Sequence, residues 1–110
     1  MKILFIICLL LNFSAFSSSQ EFFKFGNISI KMNFNKGVYL SSDCDLMNCE
    51  AKKGMEQIGS IKIESEDLAG GKNPFSVKCT KYLKGTVLVG LDQSGNELAF
   101  CKFSDGSMFR

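Results

Sequence analysis

From Ile28 to Asn35 apolar and polar residues alternate strictly, with Ile28, Ile30, Met32 and Phe34 on one side and Ser29, Lys31, Asn33 and Asn35 on the other. A period of two predicts a half-buried strand. Asn35, Lys36 and Gly37 supply turn chemistry and Val38, Tyr39 and Leu40 the return, so a hairpin is expected over residues 27–40. Near the end of the chain Asn73 and Pro74 form an N-cap and first helical residue, and Phe75, Cys79, Tyr82 and Leu83 follow at helical spacing before Gly85. A β-branched apolar run over residues 86–91, the turn Asp92-Gln93-Ser94-Gly95 and a return over 96–103 predict a second hairpin. Asp105-Gly106 makes a further turn before a short third strand within residues 107–110.

The middle of the chain is less periodic. Ser41, Ser42 and Asp43 can cap a helix and Gly54 can end one, but Cys44, Leu46, Met47 and Ala51 form no clean stripe, so a helical turn within a loop and a full helix stand as equal readings. Ile58, Ile61 and Ile63 suggest one more strand, and residues 64–71 turn to charge and glycine, an exposed linker. Phe22, Phe23 and Phe25 are too irregular to assign.

The first residues carry an address rather than a fold. Met1 and Lys2 precede a nearly unbroken apolar run over residues 3–11, and Ala15, Ser17, Ser18 and Ser19 are small, which together read as a signal peptide over residues 1–19, cleaved near Ser19. The run falls short of the roughly 20 residues of a spanning helix, and Cys8 inside it is badly placed for a lipid. After processing, the chain is expected to be periplasmic or secreted and not an integral membrane protein. Twelve basic side chains then stand against eleven acidic ones, net +1, which gives nucleic acid no basic surface to bind.

An exported chain with four cysteines, Cys44, Cys49, Cys79 and Cys101, favours two disulfides. Three connectivities are formally open; local pairing of Cys44 with Cys49 and of Cys79 with Cys101 is preferred because each pair lies within one supersecondary unit. Zinc is disfavoured by the lack of a paired C-x-x-C knuckle. Asp43, Asp45, Asn48 and Glu50 gather oxygen ligands, but their spacing misses the twelve-residue calcium loop, and a solvated acidic loop is the better reading. The same carboxylates in a tight exposed loop are poorly placed for the desolvation that acid catalysis needs. With no His anywhere in the chain, no catalytic constellation emerges, and no catalytic, cofactor-binding or metal site is assigned. Lys78, Lys81 and Lys84 form a basic stripe that could contact an anionic surface.

The ordered set Asn73-Pro74-Phe75-Ser76-Val77-Lys78-Cys79, Gly85-Thr86, Gly95, Cys101-Lys102-Phe103 and Asp105-Gly106 resembles a family of small exported bacterial domains that carries a nominal haemolysin label and has no established activity. The match covers residues 73–106, about a third of the chain. The resemblance implies a bacterial envelope or secreted protein and supports the Cys79–Cys101 pairing. Family members commonly carry a Trp-containing acidic segment, which has no counterpart in this Trp-free chain.

The expected molecule is therefore an α+β, disulfide-stapled domain with a short helix packed on antiparallel hairpins. It comprises a signal peptide (1–19), a hairpin and cysteine-loop region (20–69) and a haemolysin-like helix and hairpin (70–110). The expected role is non-catalytic, an envelope binding or structural module without cofactor, whose partner is an envelope protein, a glycan or a lipid surface. A membrane-active, haemolysin-like toxin is the alternative.

Overall fold

Strands β1 (Ser19–Phe25), β2 (Ile28–Asn35) and β3 (Val38–Ser41) form one meander, and β4 (Thr86–Leu91), β5 (Glu97–Lys102) and β6 (Met108–Phe109) form another, in a computed structural model that describes residues 19–45 and 48–110. The expected signal peptide, apart from Ser19, lies outside the described residues. All neighbours are antiparallel, and the order β1-β2-β3-β6-β5-β4 closes into a six-stranded barrel. Two seams join the meanders. Lys24 pairs with Leu91 across β1 and β4, and Leu40 with Phe109 across β3 and β6. The second seam is extended by reciprocal backbone bonds between Tyr39 and Arg110 at 3.0 and 2.9 Å. Ser41 Oγ adds to it by accepting from the Met108 N–H at 2.7 Å and donating to the Met108 carbonyl at 3.2 Å.

This architecture corrects the α+β expectation. The molecule is mainly β, and its helices lie against the outside of a closed barrel instead of forming the layer on which hairpins pack. Closure rests on pairs such as Leu40 with Phe109, and a pairing so distant along the chain leaves no local periodicity to read. β1 escapes a sequence assignment for a related reason: beside its inward Phe23 and Phe25 stands an outward residue, Phe22, that is also aromatic.

The helical excursion between the meanders contains a 3₁₀ turn (Ser42–Asp45), α1 (Glu50–Ile58), a second 3₁₀ turn (Ser65–Leu68) and α2 (Pro74–Val77), which widens into a π turn over Lys78–Tyr82. The strand expected around Ile58, Ile61 and Ile63 does not form. Ile58 instead completes the stripe Ala51, Met55, Ile58, whose spacing is helical, against the outer core. Gly54 sits inside α1 instead of ending it, because a Cβ there would lie 2.8 Å from the Phe103 ring.

Strand alternation divides the apolar residues into two cores. Phe23, Met32, Phe100 and Met108 fill the barrel, with Phe25, Ile30, Tyr39, Leu88 and Leu98 around them. The rings meet edge to face, Phe23 lying 5.0 Å from both Tyr39 and Phe100, and Phe25 5.3 Å from Phe100. The next residues along β5 and β6, Cys101 and Phe109, point outward and meet Cys44, Cys49, Ala51, Cys79 and Phe103 beneath the helices.

Both bridges lie in this outer core. Cys44 is bonded to Cys49 and Cys79 to Cys101, at sequence separations of 5 and 22. Gly85 lets the second bridge close, since a Cβ at that position would stand 2.5 Å from Cys101 Sγ and 3.1 Å from Cys79 Sγ. By loop-entropy arithmetic the longer bridge contributes about 3 kcal/mol and the shorter about 2 kcal/mol. Removing the pair Cys79 and Cys101 by double alanine substitution is therefore expected to lower unfolding stability more than removing Cys44 and Cys49. Urea titrations of the two variants check the order.

Candidate functional site

The groove between the Ser65–Leu68 turn and α2 holds the strongest polar cluster among the described residues. Asn73 Oδ1 accepts from the N–H groups of Phe75 and Ser76 at 2.8 and 3.3 Å, and Pro74 occupies the first turn, so the helix starts where the sequence places it. The widened turn then brings the consecutive residues Lys81 and Tyr82 to one carboxylate, Asp67. Lys81 Nζ forms an ion pair with Oδ1, and the Tyr82 hydroxyl donates to Oδ2 at 2.5 Å. Oδ2 also accepts the Glu64 N–H at 3.1 Å as part of a capping box.

These bonds set the charge states. The hydrogen bond from Lys81, then that from Tyr82, holds the Asp67 carboxyl at about 2 against the opposing effect of burial. Asp67 in turn raises the Lys81 ammonium and, by accepting its proton, the Tyr82 phenol. At neutral pH the three are carboxylate, ammonium and neutral phenol, each far from the poise of a general base or acid. The groove beside them, about 380 Å³, is lined in part by Lys72, Ser76 and Thr80. The cluster acts as an anchor that fixes the turn to the helix.

A second polar knot caps α1 from the β5–β6 turn. Asp105 Oδ2 accepts the Glu50 N–H at 2.9 Å, Ser107 Oγ accepts the Ala51 N–H at 2.9 Å, and Cys49 Sγ accepts the Lys52 N–H at 3.3 Å. Ser107 Oγ itself donates to Asp105 Oδ1 at 2.5 Å. Burial would raise the Asp105 carboxyl, but the donated bonds from Glu50 and Ser107 outweigh it and hold the group below its ordinary value. The orphan N–H groups of a helix start are thus satisfied from a turn more than fifty residues away.

The residues singled out in the sequence fall as follows. Lys78 Nζ donates to the Ile58 carbonyl at 3.3 Å, Lys81 is paired with Asp67, and Lys84 stands exposed after the helix with φ at 62°. The structure therefore gives the three lysines different surroundings. In the acidic loop, Asp43 is exposed and Glu50 accepts from Ser104 Oγ at 3.2 Å. Among the described residues no group of three or more Cys, Asp or Glu is placed to hold a metal ion. Asp67, Tyr82 and Ser107 were not anticipated. The Glu64-x-x-Asp67 spacing of a capping box was the available signal for the first.

No described helix is long and apolar enough to cross a membrane. No family model, no curated protein and no solved structure matches the chain.

Two outcomes test these clusters. Asp67 titrates lower in the folded chain, at about 2 against an ordinary 3.8, so its stabilising contribution is present above the ordinary value and is lost as pH falls through the folded one. The difference in melting temperature between the wild type and Asp67→Asn should be constant near neutrality and shrink toward pH 2. Asp105→Ala should cost about 1 kcal/mol as a lost helix cap, read by denaturant titration, with Asp105→Asn retaining most of the stability.

Proposed function

We propose that this chain is an exported, non-catalytic module of the bacterial envelope, periplasmic or secreted, that binds or supports other envelope components. The observation that carries this reading is where the haemolysin-like residues lie. Asn73 and Pro74 start α2, Cys79 and Cys101 tie that helix to β5, Gly85 admits the bridge, and Asp105 caps α1. Each has a task in holding the helical excursion to the barrel, and together they form one framework, which supports a structural role for these residues.

The side chains that could do chemistry are engaged in the same way. Asp67 and Asp105 are held ionised by donated hydrogen bonds, and the carboxylate of Asp92 accepts the N–H groups of Ser94 and Asn96 at 2.9 and 2.8 Å to form the β4–β5 turn. Cys79 and Cys101 are fully buried and bonded, so neither is a nucleophile.

Protein recovered from its host's secretory route should lack the leader and contain no free thiol, its intact mass rising on reduction by the four hydrogens that two bridges take up. Free sulfhydryls or bound metal in that material would overturn the proposal, as would retention in the cytosol.

A further inference from the structure

The outward residues of β1 are not those of a solvated strand. Phe23 is fully buried, but its neighbour Phe22 points out and is 51% exposed. Register places Leu91 diagonally beside it on the same outward face, with Val89 two residues further along β4. Phe22 pairs with Lys31 of β2, and Lys24, two residues on, lies between Ser29 of β2 and Leu91 of β4. Leu91 is 40% exposed and Val89 is 54% exposed. Single exposed apolar residues are ordinary, whereas a run of them across adjoining strands marks a surface that meets something.

We propose that this outer face of β1, β2 and β4 docks on an anionic lipid surface. The inference rests on the envelope reading above and narrows its partner to one chemistry. The β1–β4 seam of the closed barrel is a single pair, and the exposed apolar residues stand on the outward face of the two strands rather than along an edge. On this face the apolar residues adjoin Lys24 and the half-buried Lys31, neither ion-paired with a described residue, while Glu97, opposite Leu91, and Asp43 and Asp105, across the groove from Lys31, stand at its borders. A second copy would bring like charges together across the contact. Protein hot spots, by contrast, are seated in packed pockets, while the outside of a barrel is convex and its side chains stand outward. Protruding apolar groups with flanking ammonium groups fit an interface of acyl chains below and anionic headgroups above.

The test is sedimentation of the oxidised protein with vesicles of phosphatidylcholine, alone or mixed with phosphatidylglycerol. Binding is expected to the mixed vesicles only and to weaken as salt rises. Lys24→Gln and Lys31→Gln should each weaken it about fivefold, and Phe22→Ser with Leu91→Ser about tenfold or more. Lys52→Gln with Lys62→Gln, on the helical side, should leave it unchanged. All these positions are exposed or partly so, and melting temperatures verify that each variant is folded.

Four results would overturn the proposal: equal sedimentation with neutral vesicles, binding that survives the face variants, release of an encapsulated dye, or no sedimentation at all. A dimer abolished by Phe22→Ser would give the face to a second copy. Equal, face-dependent affinity for soluble polyglutamate would give it to an acidic protein. None of these results bears on the thiol content of the exported protein, so failure of docking and failure of the export reading remain distinct.

Discussion

The two residues of β6 hold the molecule together. Met108 and Phe109 pair on one side with β5 and, through Phe109, on the other with β3. Because successive side chains in a strand face opposite ways, Met108 enters the barrel core with Phe23, Met32 and Phe100, while Phe109 enters the outer core with Phe103 and the disulfides. No other described strand is so short, yet both of its residues are core residues, one in each core. Ser41 Oγ compensates for the lack of length, because it bonds to both the N–H and the carbonyl of Met108 and so extends the seam where the ladder has only one pair.

Around that strand the helical excursion is secured at three points that use different chemistry. The Asp105–Ser107 turn, immediately before β6, caps α1 with charge and hydroxyl. The Cys79–Cys101 bridge fastens the π turn to β5 covalently. Asp67 fastens the preceding turn to the same helix by an ion pair and a phenolic hydrogen bond. A domain of this size buries a modest apolar core and depends on such supplementary constraints. The widened turn over Lys78–Tyr82 has a use here, since it sets Lys81 and Tyr82 side by side toward Asp67 while Cys79 faces the barrel.

What the sequence disclosed was local. The β2–β3 hairpin with its Lys36-Gly37 turn, both residues at positive φ, the Asp92 turn, and the Asn73-Pro74 helix start each follow from chemistry within a few neighbouring residues. What it concealed was relational. Gly54 is a helix terminator by composition and an interior residue in fact, because the reason for glycine there is the Phe103 ring, 49 positions away. Lys81 looked like one member of a basic stripe, and only the folded chain shows that its charge is spent on Asp67. Barrel closure is the extreme case, as no periodicity in residues 107–110 announces that their partner is β3.

The same distinction separates anchoring charges from available ones. Lys81, Asp67 and Asp105 lie where chain segments meet, and each is shifted in the direction that holds its charge in place. Lys24 lies on the barrel wall beside Phe22 and Leu91, apolar side chains that folding leaves uncovered, and Lys31 stands between that face and the groove lined by Asp43 and Asp105. The excursion between β3 and β4 is folded against β5 and β6, where the Cys79–Cys101 bridge ties it to β5, and leaves Phe22 on β1 uncovered. The bridge that fastens the excursion to one side of the barrel therefore also keeps it from the other, and the framework and the proposed docking face are two consequences of the same placement of the Cys79–Cys101 pair.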